Sequence, residues 1–345
     1  MSKVGLVYDP IYLKHDTGAH VENSSRLVET ISLLKKSNLM DKLAPIPVKA
    51  ASIEELALAH SRNHISRVQS TAAGCGCWLD GDTYASPASY EVALHAAGGT
   101  LRGLDAVMAG DVSHAFAVVR PPGHHATTNE AMGFCLFNNL AIAAKYAQKN
   151  YKLERILIVD FDVHHGNGTE EIFYSDPGVL YFSTHQYPWY PGTGAIHDEG
   201  SGAGKGFTVN VPLPAYCGDK EYLRAYQEIL VPVAKRFQPQ LILVSAGYDC
   251  HWADQLSLMQ VTVAGFAGIV GTIKELADEL CQGKLLLSLE GGYHLGGLSH
   301  SIKATFETLL GIPLSAEPLG KPEGTYISHN IDPVLEQVKS RHKLS

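Results

Sequence analysis

The sequence predicts an α/β protein built on a single, mainly parallel sheet with helices on both faces. Three observations predict it. Short, almost wholly apolar runs bounded by Gly, Pro, Asp or His read as strands buried on both faces. Stretches with helical patterning lie between them, and strand–helix alternation implies parallel strands joined by crossover helices. The chain has 345 residues, 45% of them hydrophobic, which suffices for a large core with no disulfide or structural metal.

In chain order, the first strand falls at 4–8, followed by helices at 24–36, 53–58 and 89–108. A strand at 115–119 precedes a helix at 136–148. Strands at 155–160, 179–183 and 207–211 come next, and the Gly-rich stretch 192–206 reads as a loop. A helix at 220–237 leads to a strand at 241–245, a helix at 261–281, a strand at 285–289 and a helix at 298–310. No composition break divides residues 1–311, which read as one domain. Residues 312–345 read as a tail with one short helix near 333–341.

The charge balance is 27 Lys+Arg against 35 Asp+Glu, a net −8. That argues against nucleic acid or an anionic membrane as the main partner. Residues 1–9 hold no apolar run of the signal-peptide kind, and no stretch approaches the roughly 18 apolar residues of a membrane span. The six cysteines, at 75, 77, 135, 217, 250 and 281, are scattered in a way that suits a reducing cytoplasm. Cys75 and Cys77 stand too close together for the usual zinc clip. The 17 histidines include clusters, and these carry the functional reading.

Ligands of open α/β sheets collect at the carboxyl ends of the strands. Five predicted strand ends carry polar groups: Arg120-Pro121-Pro122-Gly123-His124-His125, Asp160-Phe161-Asp162-Val163-His164-His165-Gly166-Asn167, Ser183-Thr184-His185, Ser245-Ala246-Gly247-Tyr248-Asp249 and Glu290-Gly291-Gly292-Tyr293. Any one of them alone is ordinary turn chemistry, but five on one rim point to a site. Asp160, Asp162 and His164 alternate along the chain, and in an extended strand their side chains would share a face. With Asp249 they suit one divalent metal with an open coordination position. The paired imidazoles His124 and His125 need acidic or amide partners, for which Asp160 and Asn167 are fitting, and they suit general-base work. His165 reads as packed rather than ligating. The phenol of Tyr293 suits a developing oxyanion.

Together with Gly133-Phe134-Cys135-Leu136-Phe137-Asn138-Asn139 and Pro191-Gly192-Thr193-Gly194, and in this order along the chain, these motifs resemble the histone deacetylase / acetylpolyamine amidohydrolase family in its class II-like, bacterial-type branch. The likeness runs from near residue 1 to about residue 311. It implies an arginase/deacetylase-like three-layer α/β fold with about eight strands. It implies a zinc-dependent amidohydrolase that removes acetyl or related acyl groups from an alkyl amine such as acetyl-lysine, with an acetylpolyamine as the alternative substrate. Asp162, His164 and Asp249 would hold one Zn²⁺, with Fe²⁺ or Mn²⁺ as alternatives. His125 would be the general base and later acid, backed by Asn167. His124, backed by Asp160, would stabilise charge, and Tyr293 would polarise the scissile carbonyl. Gly133, Phe134 and Tyr190 would line the acyl-amine tunnel, and Arg26 would lie at its inner end. Two potassium sites are implied, one from Asp160, Asp162, His164, Ser183 and Thr184. The other would use Phe173, Asp176, Val179 and Phe207, largely through carbonyls.

The chain departs from the family pattern in places. Asn167 stands where the class I pattern has Asp, Val21 replaces a proline, and Trp189-Tyr190 replaces a Phe pair. Asp80 and Asp82 fall where a rim carboxylate could meet a substrate amine or backbone N–H. A dinuclear ureohydrolase, the nearest rival, would need carboxylates where Gly166 and His251 stand. A non-catalytic acyl-lysine binder would have lost the base, a metal ligand or the phenol, and all are present.

Overall fold

The computed structural model describes residues 3–316, 318–322 and 329–344; the remaining parts of the predicted tail lie outside the described residues. The strands are β1 (Val4–Val7), β2 (Ala44–Ile46), β3 (Cys77–Trp78), β4 (Tyr84–Ala85), β5 (His114–Ala117), β6 (Ile156–Asp160), β7 (Val179–Gln186), β8 (Thr208–Leu213), β9 (Leu241–Ala246) and β10 (Leu285–Leu289). Eight of them form one parallel sheet in the order β2-β1-β5-β10-β9-β6-β7-β8. β3 and β4 form a separate antiparallel pair. Strands β5 to β10 are buried at every residue, which requires cover on both faces.

The helices are α1 (Ser25–Lys36), α2 (Ile53–Leu56), α3 (Arg62–Ser70), α4 (Ser89–Ala109), α5 (Asn139–Tyr151), α6 (Asn167–Phe173), α7 (Asp219–Ala225), α8 (Val231–Phe237), α9 (Val263–Cys281), α10 (Leu295–Leu310) and α11 (Asp332–His342). They pack in two groups. α1, α7, α8, α9 and α10 form one, and α2, α4, α5 and α6 the other. α11 lies against β8, and Ile331, Leu335 and Val338 join the main apolar core there.

Several boundaries differ from the sequence reading, each for a local reason. The helix expected at 136–148 starts at Asn139, because the Asn138 side chain caps it by accepting the Ala141 N–H at 2.9 Å. The helix expected at 220–237 is broken by a π turn, Tyr226–Leu230. Pro232 follows it and has no N–H for the i−4 carbonyl. β7 runs to Gln186, so Ser183, Thr184 and His185 lie within a strand, not at its end. The reading missed β2, β3, β4, α3 and α6.

Candidate active site

Four strand ends deliver the site. Beyond β5, the turn carrying His124 and His125 is pinned from β10. The Glu290 Oε2 accepts the N–H groups of Gly123 at 2.6 Å and His124 at 3.0 Å. β6 ends at Asp160, and from there the chain does not stay extended as expected. Asp160 Oδ1 accepts the Asp162 N–H at 3.1 Å, and Asp162 Oδ1 accepts the His164 N–H at 2.9 Å. Two successive side-chain-held turns therefore separate the three residues. Asp160 faces His124, while Asp162 and His164 swing toward Asp249 beyond β9.

One ligand atom from each of Asp162, His164 and Asp249 falls within 4.8 Å of the other two, and all three residues are buried. His164 Nδ1 stands 3.1 Å from Asp162 Oδ1 and 3.2 Å from Asp249 Oδ2. The remaining carboxylate oxygens are oriented by backbone: Asp249 Oδ1 accepts the Val163 N–H at 2.9 Å, and Asp162 Oδ2 the Gly291 N–H at 2.8 Å. A side chain at Gly291 would collide with both carboxylates, so the glycine permits their approach. Burial and the charge of Asp162 push the Asp249 carboxyl up to about 7. Crowded, buried carboxylates beside an imidazole are a donor set that fits one divalent cation.

The two histidines are driven apart in charge. His124 Nδ1 lies 3.1 Å from Asp160 Oδ2. Burial opposes its positive charge, but Asp162 and Asp160 outweigh that and lift it to about 10. His125 Nδ1 lies 2.8 Å from Asn167 Oδ1. Burial and the neighbouring charges of His124 and His164 hold His125 well below its ordinary value. The amide oxygen of Asn167 only accepts, so Nδ1 carries the hydrogen and Nε2 keeps its lone pair. Neighbouring titratable groups pushed in opposite directions are an arrangement suited to acid–base chemistry.

Tyr293 is buried, and burial chiefly raises its phenol well above the ordinary value, leaving it a donor. Arg26 sits behind it, its guanidinium carbon 4.9 Å from the ring centroid. Arg26 Nε donates to the Gly292 carbonyl at 2.7 Å, and Nη1 to Glu22 Oε1 at 3.0 Å. Glu22 also takes Arg120 Nη2 at 2.8 Å. Burial works against the Glu22 charge, but Arg120 and Arg26 keep it ionised.

A cavity of about 280 Å³ opens over these groups, lined by Asp82, His125, Gly133, Phe134, His164, Trp189, Tyr190, Leu256 and Tyr293. The sequence-derived residues Asp82, Gly133, Phe134 and Tyr190 are thus brought to the mouth and walls, while Arg26 lies outside the lining. Gly133, at φ +55°, presses on the His125 ring so closely that a side chain there would clash. His165 makes structural bonds, Nδ1 to Thr193 Oγ1 at 2.7 Å and Nε2 to Glu170 Oε2 at 3.1 Å. At the first of the two cation groupings, Asp160 and Ser183 stand in register on β6 and β7. At the second, the carbonyls of Phe173, Asp176 and Phe207 accept the N–H groups of Asp176, Val179 and Tyr181, which gathers the four residues around the start of β7.

The sequence reading missed three residues here. Asp254 Oδ2 accepts the N–H groups of Tyr293 at 2.6 Å and His294 at 2.9 Å, and Oδ1 accepts that of Leu256 at 3.0 Å. Leu256 lines the cavity, and Glu290 holds the histidine turn. Glu290 lay inside a recognised motif; Asp254 and Leu256 carried no local signal.

A Histone deacetylase domain matches residues 20–309. The chain is 40% identical over 349 residues to Histone deacetylase 10, chloroplastic, of Oryza sativa subsp. japonica, covering 96% of this chain and 79% of that protein. It is 38% identical over 316 residues to a Probable deacetylase of Archaeoglobus fulgidus, covering 90% and 88%. Among solved structures, the crystal structure of the HDA15 HD domain superposes with a TM-score of 0.90 at 35% identity, over 99% of this chain and 94% of that one.

Proposed function

The chain belongs to the histone deacetylase family and is a deacetylase hydrolase, and on that premise we propose that it removes acetyl or closely related acyl groups from lysine side chains of proteins or peptides. One observation carries this reading. His124 paired with Asp160, His125 paired with Asn167 and the Tyr293 phenol gather about the Asp162–His164–Asp249 cluster, and His125, His164 and Tyr293 line one cavity of about 280 Å³.

We assign Asp162, His164 and Asp249 as ligands of one Zn²⁺, with Fe²⁺ or Mn²⁺ as alternatives. Such a cation would supply Lewis-acid polarisation of the amide carbonyl and acidify water. His125 Nε2 takes the proton of the attacking water and returns it to the leaving amine, while Asn167 fixes its tautomer. His124, backed by Asp160, holds positive charge beside the reacting atoms. Tyr293 donates its phenolic hydrogen to the carbonyl oxygen as negative charge develops. Gly133, Phe134 and Tyr190 guide the alkyl chain and exclude water, and Arg26 lies at the inner end behind Tyr293. Structural K⁺ would occupy the Asp160, Asp162, His164, Ser183, Thr184 grouping and the Phe173, Asp176, Val179, Phe207 grouping. The six free cysteines suit the cytoplasmic location we propose.

The alternative substrate, an acetylpolyamine, is favoured by the place of Asp82 in the cavity lining, where its carboxylate could meet a free amine. The test is a panel of acetyl-lysine peptides and acetylpolyamines, run with metal-stripped and Zn²⁺-restored protein. Turnover of the peptides only after restoration supports the proposal. Turnover of acetylpolyamines alone selects the alternative.

A further inference from the structure

Ten large apolar residues are exposed among the described residues, and five of them gather beside the cavity mouth: Tyr187, Trp189, Tyr190, Tyr216 and Leu258, each 37 to 42% exposed. Singly exposed apolar residues need no explanation, but a contiguous cluster does. The segments that carry them are tied to one another by main-chain and side-chain bonds, and the Tyr216 ring stacks on that of His329 with centroids 6.2 Å apart. The Tyr216 N–H donates to the Leu258 carbonyl at 2.8 Å, and the Tyr187 N–H to the Leu213 carbonyl at 2.8 Å. The Leu258 N–H donates to Gln186 Oε1 at 2.9 Å, and Trp189 Nε1 to the Leu256 carbonyl at 3.0 Å. The segments 187–190, 216 and 256–258 are therefore held together as one shelf at the ends of β7 and β8.

Two of its members, Trp189 and Tyr190, also line the cavity, so shelf and cavity are continuous. Asp82 is another part of the same mouth, and its carboxylate can accept peptide N–H groups. The mouth thus offers an acceptor for a backbone and an apolar bed for a side chain. An extended peptide advances about 3.3 Å per residue with alternating side chains, so the neighbours of a buried lysine fall within reach of the shelf. A small free amine has no side chain to place there. Trp and Tyr are the residue types that contribute most at such contacts.

We propose that this shelf selects protein or peptide substrates with a bulky apolar residue next to the acylated lysine. The inference rests on the lysine deacetylase reading above. It adds a sequence preference set by Leu258 and Tyr216, which lie outside the cavity itself.

Three substrates test it: a capped acetyl-lysine amide without neighbours, an acetyl-lysine peptide flanked by Trp or Leu, and the same peptide flanked by Gly. The apolar-flanked peptide is expected to exceed the Gly peptide about ten-fold in kcat/KM, mostly through KM. Leu258→Ser and Tyr216→Ser, each with an unchanged melting temperature, are expected to erase that preference and leave turnover of the capped amide intact. Equal rates for the two peptides, or a preference that survives both substitutions, overturn the shelf while the deacetylase reading stands. No hydrolysis of any lysine substrate by the Zn²⁺-restored protein overturns both. A dimer of the wild type that either substitution converts to monomer would make the shelf a self-interface and also overturns the proposal.

Discussion

The Asp254 carboxylate accepts the backbone N–H of Tyr293 at 2.6 Å. With its bonds to His294 and Leu256, this one buried acid sets the position of Tyr293 and of a cavity wall together. In Asp254→Asn an amide N–H can face those backbone donors in place of an acceptor. A hydrogen bond to a charged group contributes about 1.5–3 kcal/mol. The expected result is a folded, metal-retaining variant, less stable by about that amount, with kcat reduced about 10- to 100-fold. Urea midpoints and steady-state kinetics measure both.

Tyr293→Phe removes the donor but keeps the ring over Arg26. Because the bond strengthens as charge develops, kcat is expected to fall by about 10²–10³ with little change in KM. Retention of most of the turnover would transfer the oxyanion role to another group.

Asn167→Asp places a negative charge 2.8 Å from His125 Nδ1, where the amide oxygen now accepts. The imidazolium gains stability, so the base titrates at higher pH. The acidic limb of the kcat/KM profile is expected to move to higher pH, and an unmoved limb would speak against His125 as the base.

Asp249→Ala should lose bound metal and turnover together, since two ligands on an open rim hold a cation poorly. Elemental analysis of fully active wild-type protein should give one divalent metal per chain. Two required equivalents would favour a dinuclear site instead.

Acid should destabilise the fold through buried neutral histidines. Burial, with some help from His64, lowers His60 to about 3, and burial lowers His15 to about 4. Both ring nitrogens of His60 are committed, Nδ1 to the Thr127 carbonyl and Nε2 to the Asn138 N–H, each at 2.8 Å. Unfolded histidine titrates near 6.5, so below that pH the unfolded chain binds more protons than the folded one. Stability is therefore complete above about 6.5 and falls as pH drops toward about 4, by up to about 1.4 kcal/mol per unit for each histidine. Urea unfolding across this window should show the loss, with a shallower slope in His60→Gln.

The candidate site residues were legible because they sit in short contiguous signatures just beyond strands, where an α/β sheet collects its ligands. Their supports were not, because they act across the fold. Asp254 reaches Tyr293 over 39 residues, and Glu22 reaches Arg120 over 98. Strand content hid where length or composition misled. β2 is three residues with Pro45 in the middle, tolerable only at a sheet edge. The polar run Ser183-Thr184-His185 read as a strand end, but the strand continues through it to Gln186 and all are buried, His185 Nε2 against the Gly194 carbonyl and Gln186 Oε1 against the Leu258 N–H. α6 was masked by the histidine motif that runs into it.

The strand order has a consequence for how the molecule assembles. β10, the last strand among the described residues, lies between β5 and β9 and is hydrogen-bonded to both. Until it emerges, β2-β1-β5 and β9-β6-β7-β8 are two separate pieces of sheet. The first piece leads to the histidine pair and the second to the Asp–His–Asp cluster. Insertion of β10 joins them and brings Glu290 and Tyr293 in the same event. Such late, long-range pairing makes for slow folding. It also means that a nascent chain stalled before residue 285 lacks the strand that unites the halves of its own active site.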